Sequence, residues 1–223
     1  MSEPAILVDL DGTITDSAPG IIASYRHALA ALGLAPPEPE ALRWVVGPPS
    51  RRSFPKLLPP EHDVEEAVRL YRARYASHGI FDAAVFPGMA EALHALRALP
   101  ARLFVCTAKP VGFARQVIEH FAVGETFEAI YGADLDGRFD DKGLLIQEIL
   151  AREGIDPSRT VMVGDRDNDV RAAARHGIPA IGVLWGYGGA AELQACGAAA
   201  LCETPADLPR HARALLGMGE QVP

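Results

Sequence analysis

The chain has 223 residues, 49% of them hydrophobic and 22% charged, with a formal net charge of −8. That length can bury a sizeable core in one domain, or one domain with a small insert. The acidic balance argues against nucleic acid or an anionic membrane as partner, since both require basic surface, and no apolar run reaches the roughly 18 residues of a spanning helix.

The first apolar run, residues 6–8, reads as a buried strand and ends in Asp9-Leu10-Asp11-Gly12-Thr13. Charge at the end of a buried strand is costly unless it is paired or holds a metal. Glycine lets the chain turn sharply and bring N–H groups close to an anion. Two carboxylates two residues apart can divide the labour of nucleophile and general acid–base. The same stretch is also compatible with a plain turn or helix cap.

From residue 17 to about 82 no strand pattern occurs. Helical patterns cover 21–32, 38–46 and 64–78, separated by the proline-rich stretches 35–39 and 47–60. A helical insert over 17–82 is expected, between core segments 1–16 and 83–223. It follows the first strand directly and so would cover the carboxyl end of a sheet, where open α/β folds bind ligands.

Beyond the insert, helical patterns at 88–99, 111–120, 142–153, 169–176, 190–196 and 206–216 are interleaved with apolar runs at 103–106, 129–131, 161–163, 180–184 and 199–201. These runs are apolar throughout rather than alternating, as in parallel strands buried on both faces. The strand–helix alternation predicts a doubly wound α/β parallel sheet.

Three further clusters sit at strand ends or helix starts. Thr107-Ala108-Lys109-Pro110 places a hydroxyl where a helix begins, which suits a phosphate. Asp140-Asp141-Lys142 puts a lysine at a helix start, unfavourable for the helix dipole unless an anion binds there. Gly164-Asp165-Arg166-Asp167-Asn168-Asp169 offers three acids within five residues, a set suited to a hard divalent cation. The chain has only three lysines, Lys56, Lys109 and Lys142, among 21 basic residues; two of them fall in these clusters, where a compact point charge is useful. Each cluster has a plainer reading: Thr107 as a helix cap, Lys142 as a solvated lysine, and Asp165 to Asp169 as an acidic helix start. Cys106, Cys196 and Cys202 form no CxxC, which fits small buried side chains in a reducing compartment. With no secretory pattern at the N-terminus, the cytoplasm is the expected location.

Taken together, the four clusters resemble the motifs of the haloacid dehalogenase superfamily of phosphotransferases. Asp9 to Thr13 matches DxDGT, Thr107 the second motif, Lys142 the third, and Gly164-Asp165 with Asp169 the fourth, GDxxxD. The insert resembles that family's C1 cap. Asp16-Ser17-Ala18-Pro19, leading into it, is similar to the phosphoglycolate-phosphatase-like branch. The resemblance implies that Asp9 attacks phosphorus to form an aspartyl-phosphate, and that Asp11 protonates the leaving oxygen and then activates water. It implies phosphoryl oxygens held by Thr107, Lys142 and backbone amides around Gly12 and Ala108. It implies Mg2+ held by Asp9, the Asp11 carbonyl and Asp165, with Asp169 a ligand through water or a support.

Residues Trp44 to Arg52 are similar to the cap's specificity loop, so Arg51 or Arg52 could pair with a second anionic group, although both also read as solvated loop arginines. Lys109 could face phosphate or Asp165. The implied substrate is a small phosphorylated metabolite, phosphoglycolate first and a nucleoside 5′-monophosphate second, with a sugar-phosphate mutase as a further alternative. A dehalogenase would need neither Asp11 nor the Asp165 cluster. A phosphonatase needs a cap lysine, and the insert has only Lys56. A non-enzymatic scaffold would be expected to have lost a motif, and all four are intact. The chain is expected to act as a monomer or homodimer.

Overall fold

The structure is a computed structural model and describes residues 3–219. In chain order its elements are β1 (Ala5–Val8), β2 (Thr15–Asp16), α1 (Ala18–Ala31), α2 (Ser50–Ser53), α3 (Val64–Arg74), β3 (Ala84–Val85), α4 (Met89–Arg97), β4 (Arg102–Pro110), α5 (Val111–His120), β5 (Ala129–Ala133), α6 (Lys142–Glu153), β6 (Thr160–Gly164), α7 (Asp167–Ala174), β7 (Ala180–Val183), α8 (Ala190–Ala195), β8 (Ala200–Cys202) and α9 (Leu208–Leu215). A six-stranded sheet has the order β5-β4-β1-β6-β7-β8, and every pairing in it is parallel. This is the doubly wound α/β sheet that the apolar runs predict.

Side chains alternate between the two faces of a strand, and the core divides accordingly. Ile6, Val8, Val105 and Val163 face the side that also packs α1, α4, α5 and α9. Leu7, Phe104 and Met162 face the other side, against Leu145, Ile149 and Val170 of α6 and α7. The register places Val8 opposite both Val105 and Val163. The residues that follow these three, Asp9, Cys106-Thr107 and Gly164-Asp165, therefore emerge at one edge of the sheet. Among the described residues no helix is long and apolar enough to cross a membrane.

The stretch 17–82 holds no strand, but an antiparallel ribbon frames it: Thr15 pairs with Val85 and Asp16 with Ala84. Two-residue strands lie below the length at which alternation can be read. The pattern at 38–46 folds as a 3-10 helix, Pro39–Val45. The proline-rich stretch 47–60 carries α2 and a further 3-10 turn, Phe54–Lys56. Asp63 caps α3 by accepting a hydrogen bond from the Glu65 amide. After Arg74 the helix widens into a π turn, Tyr75–Gly79. An aromatic chain joins insert to core, with ring centroids 4.7 Å apart for Tyr25–Tyr71, 5.8 Å for Tyr71–Tyr75 and 5.6 Å for Tyr75–Phe113 of α5.

At the base of the insert α1 meets the π turn backbone to backbone. A Cβ at Gly20 would lie 2.1 Å from the Gly79 carbonyl oxygen, a rigid neighbour. Gly20→Ala is expected to destabilise the protein by about 1–3 kcal/mol, the range for overpacking, read as a lower denaturant midpoint. An unchanged midpoint would show that this contact is not close in solution.

Candidate active site

At the shared strand edge Asp9, Asp165 and Asp169 are all buried, and one carboxylate oxygen from each lies within 4.8 Å of the others. Lys142, also buried, opens α6 and points its ammonium into this trio, 2.9 Å from Asp9 Oδ1 and paired with Asp169 Oδ1. One lysine among three buried carboxylates leaves an excess of negative charge. Burial raises Asp9 from 3.8 to about 7, with Lys142 pulling it down and Asp169 and Asp11 pushing it up. Asp165 is raised by burial first, then by Asp169 and Asp9. Burial would lower Lys142, but Asp169 and Asp9 outweigh it and raise the ammonium.

The carboxylates are held differently. Asp169 is spoken for by the protein: besides the lysine, its Oδ2 accepts from the Arg166 amide at 3.0 Å, capping α7. Asp165 Oδ2 accepts from the Tyr187 amide at 2.7 Å, while its Oδ1 is buried without a hydrogen-bond partner. An orphaned carboxylate oxygen beside a second buried carboxylate fits a hard cation such as Mg2+, which takes oxygen ligands and relieves the repulsion. Asp9 and Asp165 are the side chains free to hold it, and Asp169 supports them through Lys142. Gly12, with φ +86°, lets the turn pass over Asp165: a Cβ there would lie 2.3 Å from the carboxylate.

Several expectations need correction. The Gly12 amide does not face a ligand, because it donates to the Thr15 carbonyl at 2.8 Å inside its own turn. Lys109 does not pair with Asp165: it lines the cavity beside Asp11, its ammonium 2.6 Å from Asp11 Oδ1 and 2.6 Å from the Tyr75 hydroxyl. Arg51 is committed elsewhere. It makes a two-pronged pair with Glu65 at 2.7 and 2.9 Å and donates to the Leu135 carbonyl at 2.8 Å. Arg52 lines an outer groove with Asp141 and Lys142, not the cavity beside Asp11. Thr107 is buried at the end of the β4 core run, its hydroxyl accepting from the Lys109 amide at 3.2 Å. Ala108 lines the cavity next to Asp11. That cavity, also walled by Tyr25, Tyr71, Tyr75 and Phe113, is about 40 Å³.

The Trp185 to Gly188 loop contributes more than its sequence suggests. Its Tyr187 amide holds Asp165. The Tyr187 hydroxyl accepts from the amides of Ser17 and Ala18, each at 2.9 Å, and donates to Asp16 at 2.7 Å. Trp185 donates to the Thr13 carbonyl at 2.9 Å. Ser17 in turn donates to Asp11 Oδ1 at 2.6 Å. The glycines flanking Tyr187 were the available signal, since a Cβ at Gly186 or Gly188 would strike Gly12 or Asp165 backbone.

Comparison with known proteins agrees with this geometry. A family model described as haloacid dehalogenase-like hydrolase matches residues 6–183. A 5′-nucleotidase from Pseudomonas aeruginosa is 42% identical over 193 residues, covering 86% of this chain and 87% of that protein. The tyrosine-protein kinase PtkA of Mycobacterium tuberculosis is 41% identical over 187 residues, 84% of this chain but only 64% of that longer protein. A phosphoglycolate phosphatase from Caulobacter vibrioides is 34% identical over 193 residues, 82% of this chain and 79% of that one. The crystal structure of a predicted phosphatase from Clostridium acetobutylicum superposes with a TM-score of 0.89 at 33% identity, covering 95% of this chain and 98% of that one. With a family model spanning most of its length and the matching motifs gathered at one sheet edge, the chain belongs to the haloacid dehalogenase-like hydrolase family.

Proposed function

We propose that the chain is a Mg2+-dependent phosphomonoester hydrolase that works through an aspartyl-phosphate on Asp9. The observation that carries this reading is the buried trio of Asp9, Asp165 and Asp169, with Lys142 beside it and Asp165 Oδ1 left without a partner. An Asp9 oxygen forms the new bond to phosphorus as the ester P–O bond breaks, and the departing oxygen takes a proton from Asp11. Asp11 then accepts a proton from the water that attacks the aspartyl-phosphate, releasing phosphate and restoring Asp9. Lys142 and the Thr107 hydroxyl receive phosphoryl oxygens. Bound Mg2+ supplies charge neutralisation for an anionic carboxylate approaching a phosphate dianion.

Two substrate classes are supported by different observations. A cavity of about 40 Å³ is the space of roughly three waters, each needing about 10–15 Å³. That favours a small leaving group such as glycolate, although Arg51 is not available to bind its carboxylate. The aromatic walls instead favour a nucleoside 5′-monophosphate, which enters only if the insert lifts. Initial rates of phosphate release with and without Mg2+ separate the two, across phosphoglycolate, nucleoside 5′-monophosphates, hexose phosphates and small phospho-acids. Phosphoglycolate is the expected preference. A nucleotide preference would establish the second class, and no Mg2+-dependent release from any ester would overturn the hydrolase reading.

A further inference from the structure

We propose that Lys109 and Tyr75 are positioning residues for Asp11, so that proton donation to the leaving oxygen is complete only with the insert seated on the core. The inference rests on the phosphomonoester hydrolase reading and concerns its acid step.

Lys109 leaves the core sheet at the end of β4, and its side chain is 4% exposed. The ammonium has three N–H donors; one meets Asp11 Oδ1 and another the Tyr75 hydroxyl, both at 2.6 Å. Asp11 Oδ1 also accepts from the Ser17 hydroxyl at 2.6 Å. Both donors fall on one oxygen, one of them a cation, so Oδ2 is left as the oxygen open to exchange a proton with the leaving group, and the carboxyl group cannot rotate without breaking both bonds.

Tyr75 lies deep in the insert, far along the chain from Asp11 and Lys109, so its contribution to this set depends on how the insert is seated. Its ring is fixed on several sides: against Tyr71, against Phe113, and over Gly79, where a Cβ would lie 2.5 Å from the Tyr75 ring. The π turn starts at Tyr75. Such single-turn widenings alter which way a side chain leaves a helix and recur at functional sites. Were the insert to move away, Lys109 would lose its phenol partner and gain freedom to swing, loosening its hold on Asp11.

The plainer alternative is that Lys109 only neutralises a buried carboxylate. Leaving-group chemistry separates the two, because a nitrophenolate departs without protonation while an alkoxide does not. The test compares kcat/KM, which covers steps through departure of the leaving group, for 4-nitrophenyl phosphate and 2-phenylethyl phosphate in the full-length, Mg2+-loaded protein. In Tyr75→Phe, which keeps the ring packing, the ratio of phenylethyl to nitrophenyl kcat/KM is expected to fall about tenfold. In Lys109→Met it is expected to fall about 100-fold, within the range for losing general acid catalysis. Equal losses on both esters would overturn the positioning role and leave the hydrolase reading intact. Failure of the wild-type protein to release phosphate from either ester would overturn both.

Discussion

Replacing Asp9 with asparagine is expected to lower Mg2+-dependent phosphate release by about 10⁴-fold or more, the scale of loss when a covalent nucleophile is removed. The substitution is nearly isosteric, so packing at the end of β1 is retained. Lys142 keeps Asp169 as its ion partner, and one of three crowded buried carboxylates becomes neutral. The metal-free variant should therefore unfold at a temperature no lower than the wild type. Loss of turnover in a fully folded protein is the expected pair of results, measured as initial rates beside a thermal melt. Wild-type turnover in this variant would show that phosphorus is not attacked by Asp9.

Magnesium is expected to stabilise the protein as well as activate it. At concentrations near 100 times Kd, ligand binding contributes about 2.7 kcal/mol, which for a chain of this size raises Tm by about 5–10 °C. The effect should grow with pH. Without the cation, burial lifts Asp9 from 3.8 to about 7. Between those values the native protein holds a proton that the unfolded chain has released. Stability of the metal-free form therefore falls as pH rises through that window, with no further loss from Asp9 above it. The raised Asp165 acts in the same direction. Magnesium binds the ionised carboxylates and competes with those protons, so its stabilising effect is expected to be large at pH 8 and small at pH 5. Melting curves with Mg2+ or with a chelator across this range provide the check. An unchanged Tm at pH 8 would mean that the trio does not hold the metal.

Much of this arrangement is legible in the sequence because parallel strands bury both faces. The apolar runs around Ile6, Val105 and Val163 could be read directly, and the clusters after them had to emerge at one edge. Tertiary pairing was harder to read. Arg51 looks like a free cation in a loop until Glu65, one helix later, claims it. Lys109 follows a threonine and so suggests phosphate, but Tyr75 and Asp11 reach it from segments distant in the chain. The backbone amide of Tyr187 holds Asp165, and an amide has no sequence signature at all. Helical periodicity predicted a helix over 64–78 but did not mark Tyr75 as the start of a π turn, because a change of pitch over five residues leaves the apolar pattern almost unaltered.

The two-residue ribbon of β2 and β3 has an implication for how this architecture diversifies. The chain departs from the core at Asp16 and returns at Ala84, side by side. No strand of the six-stranded sheet draws a partner from between those points. Closing a longer or shorter excursion there changes the entropy only logarithmically with its length. The carboxylates at the sheet edge and the helical stretch between Asp16 and Ala84 can thus be inherited separately. One contiguous block can be exchanged, enlarged or rebuilt while Asp9, Lys142 and Asp165 keep their places, provided that the replacement supplies a partner for Lys109 where Tyr75 now stands.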